Sequence, residues 1–108
     1  MSVFDDFINS LKNNLSDLFK AEAADVKNTI IKDGSDFAIE QKENIEKYTQ
    51  QYLSNQISQE DLKDLVDGIK ELFELKGLKD LGLAQAKIQE IKDKVIQAIT
   101  DSICSLKL

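Results

Sequence analysis

Twenty carboxylates and a single thiol, Cys104, are the side chains with which this chain could do chemistry, and no histidine or arginine accompanies them. Without histidine the commonest proton shuttle and metal ligand is missing, and without arginine so is the bidentate phosphate fork. Two carboxylates held together can work as acid and base, but no pair stands out. Glu40, Glu43 and Glu46 recur every third residue, yet they turn away from Phe37, Ile45 and Tyr48. They therefore read as a solvated face, not as the inward carboxylates of a two-metal bundle, which also needs histidine. Asp33-Gly34 followed by Glu40 copies the later half of a calcium loop. Its early ligand positions fall on Thr29 and Ile31, where oxygen donors are required. All four glycines are isolated, so no phosphate-cradling loop is present. Cys104 has no base to activate it. The chemistry thus points to no catalytic residue, no metal site, no cofactor and no enzyme.

One carboxylate pattern is ordered. Glu60, Asp64, Asp67, Glu71 and Glu74 follow one another at steps of 4, 3, 4 and 3, which places them on one face of a helix opposite a leucine seam. Lys63 and Lys70 offer i,i+4 partners to Asp67 and Glu74. Such a stripe is an ordinary exposed face or a surface for a basic partner. The net charge of −6 repels nucleic-acid backbones and anionic membranes. The expected partner is a protein or a second copy of the chain.

The elements that position these residues are helices. No proline interrupts the 108 residues, and apolar positions recur at helical spacing throughout. Four helices are expected, at about 3–32, 36–55, 59–76 and 83–106. In the first, Phe4, Ile8, Leu11, Leu15 and Leu18 form a seam that Phe7 and Phe19 widen, with Ser2 as the N-cap. Gly34 marks the expected break, the competing reading being one helix running through it. The second helix presents Phe37, Gln41, Ile45, Tyr48 and Tyr52. In the third, Ser58 caps the N-terminus, Ile57 and Leu62 form a hydrophobic staple around it, and the seam is Leu62, Leu65, Val66, Ile69, Leu72 and Phe73. Gly68, beside the seam, suggests a close crossing. Gly77 suits the residue after the helix, with Leu78 folding back on Phe73. The fourth helix carries a seam rich in isoleucine: Ala84, Ile88, Ile91, Val95, Ile99, Ile103 and Leu106.

Short connections between such helices favour an all-α fold, a single domain over residues 1–108 built as an antiparallel up-and-down bundle of four helices, or three if Gly34 is bridged. The first helix would be about 45 Å long and would project beyond its partners. Its stripe of Phe4, Phe7, Ile8 and Leu11 is the candidate apolar interface. A membrane surface is disfavoured for that stripe, because its polar side carries Asp5, Asp6 and Asp17 against Lys12 and Lys20, and tryptophan is absent. No apolar run is long enough to span a bilayer. A start without a basic region and a lone thiol lead to a cytoplasmic expectation. The resulting reading is a small acidic, non-enzymatic interaction or assembly module: an adaptor, a chaperone-like protein or an immunity-type binder, with self-association among its modes. The alternative is a bundle that reversibly binds lipid or another hydrophobic ligand.

Overall fold

The computed structural model describes residues 3–106, and these are helical with no strand. The elements are α1 (Val3–Leu18), α2 (Ala24–Glu40), α3 (Lys42–Leu53), α4 (Gln59–Asp67), a 3-10 turn (Lys70–Leu72), α5 (Lys76–Asp80) and α6 (Gln85–Cys104). The all-α class is as the periodicity implies, and the element boundaries differ in instructive ways. Ser2, the expected first cap, lies outside the described residues.

The 20-residue α6 is the axis of the core, with α1, α2 and α4 packed along it. Of its expected seam, Ile88, Ile91, Val95, Ile99 and Ile103 are buried, whereas Leu106 is half-buried past the helix end and Ala84, the residue before the helix, is exposed. Burial of each such side chain contributes roughly 1.5–3 kcal/mol. Two polar side chains fasten α1 to this axis: Asn14 donates to the Ser102 hydroxyl at 2.8 Å, and Ser102 in turn donates to the Ala98 carbonyl at 2.7 Å.

The first correction concerns length. The long N-terminal helix stops at Leu18, and the chain turns back through residues 19–23. The alanines there are good helix formers, so propensity does not cause the turn. Packing does: a rod of 30 residues would outrun every other element and leave its stripe wet. Folding back places Phe19 and Ile30 in the same core as Leu11 and Leu15. The turn is pinned to α6 by Lys87, whose ammonium lies 3.1 Å from the Glu22 carboxylate. Leu18, expected in the seam, faces solvent instead.

The second correction is that Gly34 is not a break. It sits inside α2, buried, at the point where three helices converge. A methyl group there would lie 3.0 Å from Leu15 Cδ1 and 3.2 Å from Val95 Cγ1. The glycine permits close approach of backbone and neighbours instead of a turn. The interruption between the second and third segments falls at Gln41, a single residue with φ −96° and ψ 19°. Because Gln41 donates to the Phe37 carbonyl and accepts from the Ile45 amide, both at 2.9 Å, it acts as a kink.

The third correction is the end of α4. Its start is as the sequence implies: Ser58 Oγ accepts from the Asp61 amide and the Asp61 carboxylate accepts from the Ser58 amide, both at 3.1 Å. The helix stops at Asp67, ahead of the exposed Gly68. Gly68 makes no helix crossing, since a methyl group there would meet only the carbonyls of its own turn. Glycine costs about 1 kcal/mol in a helix interior, and ending the helix here lets Ile69, Phe73, Leu75 and Leu78 all reach the core. A single continuous helix could not aim four residues at those spacings to one side. Gly77 is likewise not a terminator. It lies in α5, and a methyl group on it would fall 2.7 Å from Thr29 Cγ2 and 2.9 Å from Asp33 Oδ1 of α2. Gly82 takes the left-handed conformation that follows α5, with φ 77°.

Gly77→Ala therefore requires α5 or the Thr29 and Asp33 side chains of α2 to shift. The expected cost is about 1–3 kcal/mol, read as a lower urea midpoint with an unchanged slope. An unchanged midpoint would contradict the packing described.

Candidate functional site

The irregular stretch between α4 and α6 is held against α2 by two contacts. The Phe73 ring stacks on Phe37 with centroids 4.5 Å apart and planes 27° from parallel. Asp33, one turn before Phe37, accepts a hydrogen bond from the Leu78 amide at 3.2 Å. Leu75, which precedes α5, offers no side-chain cap. A carboxylate from another helix supplies one, and Gly77 leaves the space for it to do so.

Between these contacts runs a groove of about 600 Å³. One wall is α2, with Thr29, Lys32, Asp33, Asp36 and Glu40; the other is Leu72, Glu74, Lys76, Gly77 and Asp80, over a floor that includes Phe37. Five carboxylates face two ammonium groups. Lys32 is bound to Asp36 at 3.0 Å, and Lys76 stands 3.9 Å from Glu74. Leu72, expected in the third helix's seam, is 59% exposed at the groove edge and is the most exposed large apolar side chain among the described residues.

Burial pushes the Asp33 carboxyl above the ordinary carboxylate range, against the opposing pull of the Leu78 and Gly77 amides and of Lys32. The groove thus favours a neutral Asp33 more than water does. At the far side of the same stretch, Lys70 reaches across to Asp93 of α6, and this ion pair holds the Asp93 carboxyl below its usual range.

The five residues of the expected acidic stripe all remain exposed, but they do not share one helix. Glu60, Asp64 and Asp67 lie on α4, Glu71 in the 3-10 turn and Glu74 in the connection that follows. Lys70 is committed to Asp93 instead of Glu74. Of the five, Glu74 enters the groove, and there it joins Asp33, Asp36, Glu40 and Asp80, none of which the stripe included. The two sets of groove carboxylates, Asp33, Asp36 and Glu40 on α2 and Glu74 and Asp80 opposite, are far apart in the sequence, and only the fold-back of the 68–84 stretch brings them together.

Phe4, Phe7, Ile8 and Leu11 are all buried in the chain's own core. The stripe proposed as an apolar interface is already covered by neighbouring helices, because α1 is short and does not project. Beside its first turn lies a second, more apolar pocket of about 510 Å³, lined by Val3, Phe4, Glu46, Thr49, Gln50, Leu53 and Ser54. Lys42 sits 5.3 Å from the centroid of the Phe4 ring, within cation–π range.

Cys104 is half-buried and free. The Tyr52 hydroxyl donates to its sulfur, and this bond raises the Tyr52 pKa above the ordinary phenol value. Among the described residues no cluster of three or more Cys, Asp or Glu side chains is placed to hold a metal ion, and no helix is long and apolar enough to cross a membrane. No family model, curated protein or solved structure gives a significant match to the chain.

The shift at Asp33 has a pH consequence with a definite sign. A carboxyl raised by folding contributes stability that is fully present below its unfolded pKa of 3.8. That contribution is lost as pH rises through the higher folded value. Asp33→Asn keeps an acceptor for the Leu78 amide without a charge, so its stability exceeds that of the parent at about pH 7, and the advantage closes towards about pH 3. Asp33→Ala removes the cap and costs about 1 kcal/mol. Urea melts of both variants at the two pH values check this, and equal losses in Asn and Ala would contradict it. Loss of the thiol in Cys104→Ala is expected to move Tyr52 back towards the usual phenol value, followed by tyrosinate absorbance in a Tyr48→Phe background.

Proposed function

We propose that the chain is a small, non-enzymatic protein-interaction module that receives a basic partner on its acidic side. The observation that carries this reading is the concave, acid-lined groove between α2 and the 72–80 stretch, with an exposed leucine on its edge. Concavity, an apolar contact and a small number of placed charges are the features that distinguish a recognition surface from a merely solvated one. The α4 carboxylates Glu60, Asp64 and Asp67, with Glu71 beyond them, extend negative charge away from the groove, and Glu74 belongs to both. Surface charge of one sign speeds encounter with an oppositely charged protein and loses its effect as salt rises. The half-buried thiol fits a reducing, cytoplasmic setting.

Replacing Asp64, Asp67 and Glu71 with lysine is expected to lower the association rate for a basic partner retained from source cells by about tenfold or more at low salt. The difference should shrink as salt is added. The absence of any basic partner with salt-sensitive association to the parent chain would overturn the reading.

The pocket beside Phe4 favours a second reading, reversible binding of an uncharged hydrophobic ligand. Its volume falls in the range of small-molecule sites. Val3, Phe4 and Leu53 supply its apolar lining, and no lysine lines it. A medium-chain alcohol should then shift amide resonances of α3 and the start of α1, an effect lost in Leu53→Lys. Shifts spread evenly over the chain would dismiss this reading.

A further inference from the structure

We infer that the groove between α2 and the 72–80 stretch docks a cationic amphipathic segment of a partner protein, with an apolar side chain against Leu72 and lysine or arginine heads at Glu40 and Asp80. This rests on the interaction-module reading above and commits it to one site and one kind of occupant.

The argument is one of unspent charge beside unspent apolar surface. Three of the groove's carboxylates are already engaged: Asp36 by Lys32, Glu74 by Lys76, and Asp33 by the Leu78 amide. Glu40 and Asp80 are exposed and take part in no ion pair among the described residues. Leu72 lies exposed in the same groove, which Phe37 also lines. An anion would meet five carboxylates and is excluded by charge. A lone small cation would leave Leu72 wet, and an uncharged ligand would leave Glu40 and Asp80 unanswered. A segment with both an apolar side chain and cationic heads answers all three groups. The size agrees: from Thr29 to Glu40 the α2 wall is about 16 Å long, the reach of three helical turns or of about five extended residues. The wall itself is fixed, since Phe37 and Phe73 are stacked and Gly77 holds α5 against Asp33. Little ordering is therefore required of this side on binding.

The probe is a synthetic peptide of about fourteen residues with leucine and lysine placed at helical spacing, with oligolysine of the same length for comparison. Affinity is read by calorimetry at physiological salt. The leucine–lysine peptide is expected to bind at least tenfold more tightly than oligolysine. Glu40→Lys with Asp80→Lys, and separately Leu72→Ser, should each weaken it tenfold or more, while Asp64→Lys with Asp67→Lys leaves it nearly unchanged. All these positions are exposed, so folding is retained, and a thermal melt of each variant verifies it. Loss of binding in the α4 variant with none in the groove variants overturns the groove and leaves the broader reading standing. Equal binding of oligolysine also overturns the groove, because it indicates a diffuse acidic surface. If neither peptide binds the parent chain, both readings fall.

Discussion

At Gly34 a single methyl group would crowd Leu15 on α1 and Val95 on α6, and at Gly77 another would strike Thr29 and Asp33 on α2. These two close approaches lie on different faces of α2 and hold it between the α1–α6 core and the short α5. The rest of the architecture depends on them. With a larger side chain at Gly34, α2 would move away from the seam that buries Ile30, Phe37 and Ala38. With one at Gly77, the Thr29 and Asp33 side chains would be displaced and the Asp33 cap on α5 disturbed. Packing in protein interiors is dense enough for a methyl group to matter in this way.

The groove is a by-product of that packing put to use. The 68–84 stretch is too irregular to form a long helix, yet it buries Ile69, Phe73, Leu75 and Leu78. Sending four side chains inward from a run of short turns leaves Leu72 pointing out. It also leaves the polar side of α2 facing a second polar edge with space between them. Asp33 shows the balance of forces at that edge. Burial makes its charge costly, the Leu78 and Gly77 amides partly offset that cost, and the result is a carboxyl raised above its ordinary range. Glu40 and Asp80 are exposed and stand outside every ion pair among the described residues.

Much of the fold was legible in the residues. The N-cap at Ser58 and the isoleucines of the α6 seam are local or strictly periodic signals, and the structure contains both, with Asp61 completing a capping box at Ser58. The turn at residues 19–23 was not legible, because alanine, lysine and glutamate favour a helix and only the limited size of the core stops it there. Gly34 and Gly77 were legible as unusual positions but not as contacts: a lone glycine carries the same letter whether it ends a helix or admits a neighbour. The acidic stripe was read from periodicity over a helix that in fact stops at Asp67. The groove could not be read at all, since Asp33, Glu40, Glu74 and Asp80 come together only through a fold-back in which Gly77 meets α2. The expectation of a projecting apolar stripe failed for the same reason. It assumed the long first helix, and with α1 ending at Leu18 its phenylalanines turn inward.

The claim at the centre of this account is that partner recognition is concentrated in the groove and not spread over an acidic surface. Amide chemical-shift mapping of the isotope-labelled chain during titration with the leucine–lysine peptide tests it most directly. The account predicts that the perturbed amides fall in residues 29–40 and 72–80, the two walls of the groove. Shifts centred on Glu60, Asp64 and Asp67, or scattered over every acidic helix, would contradict it.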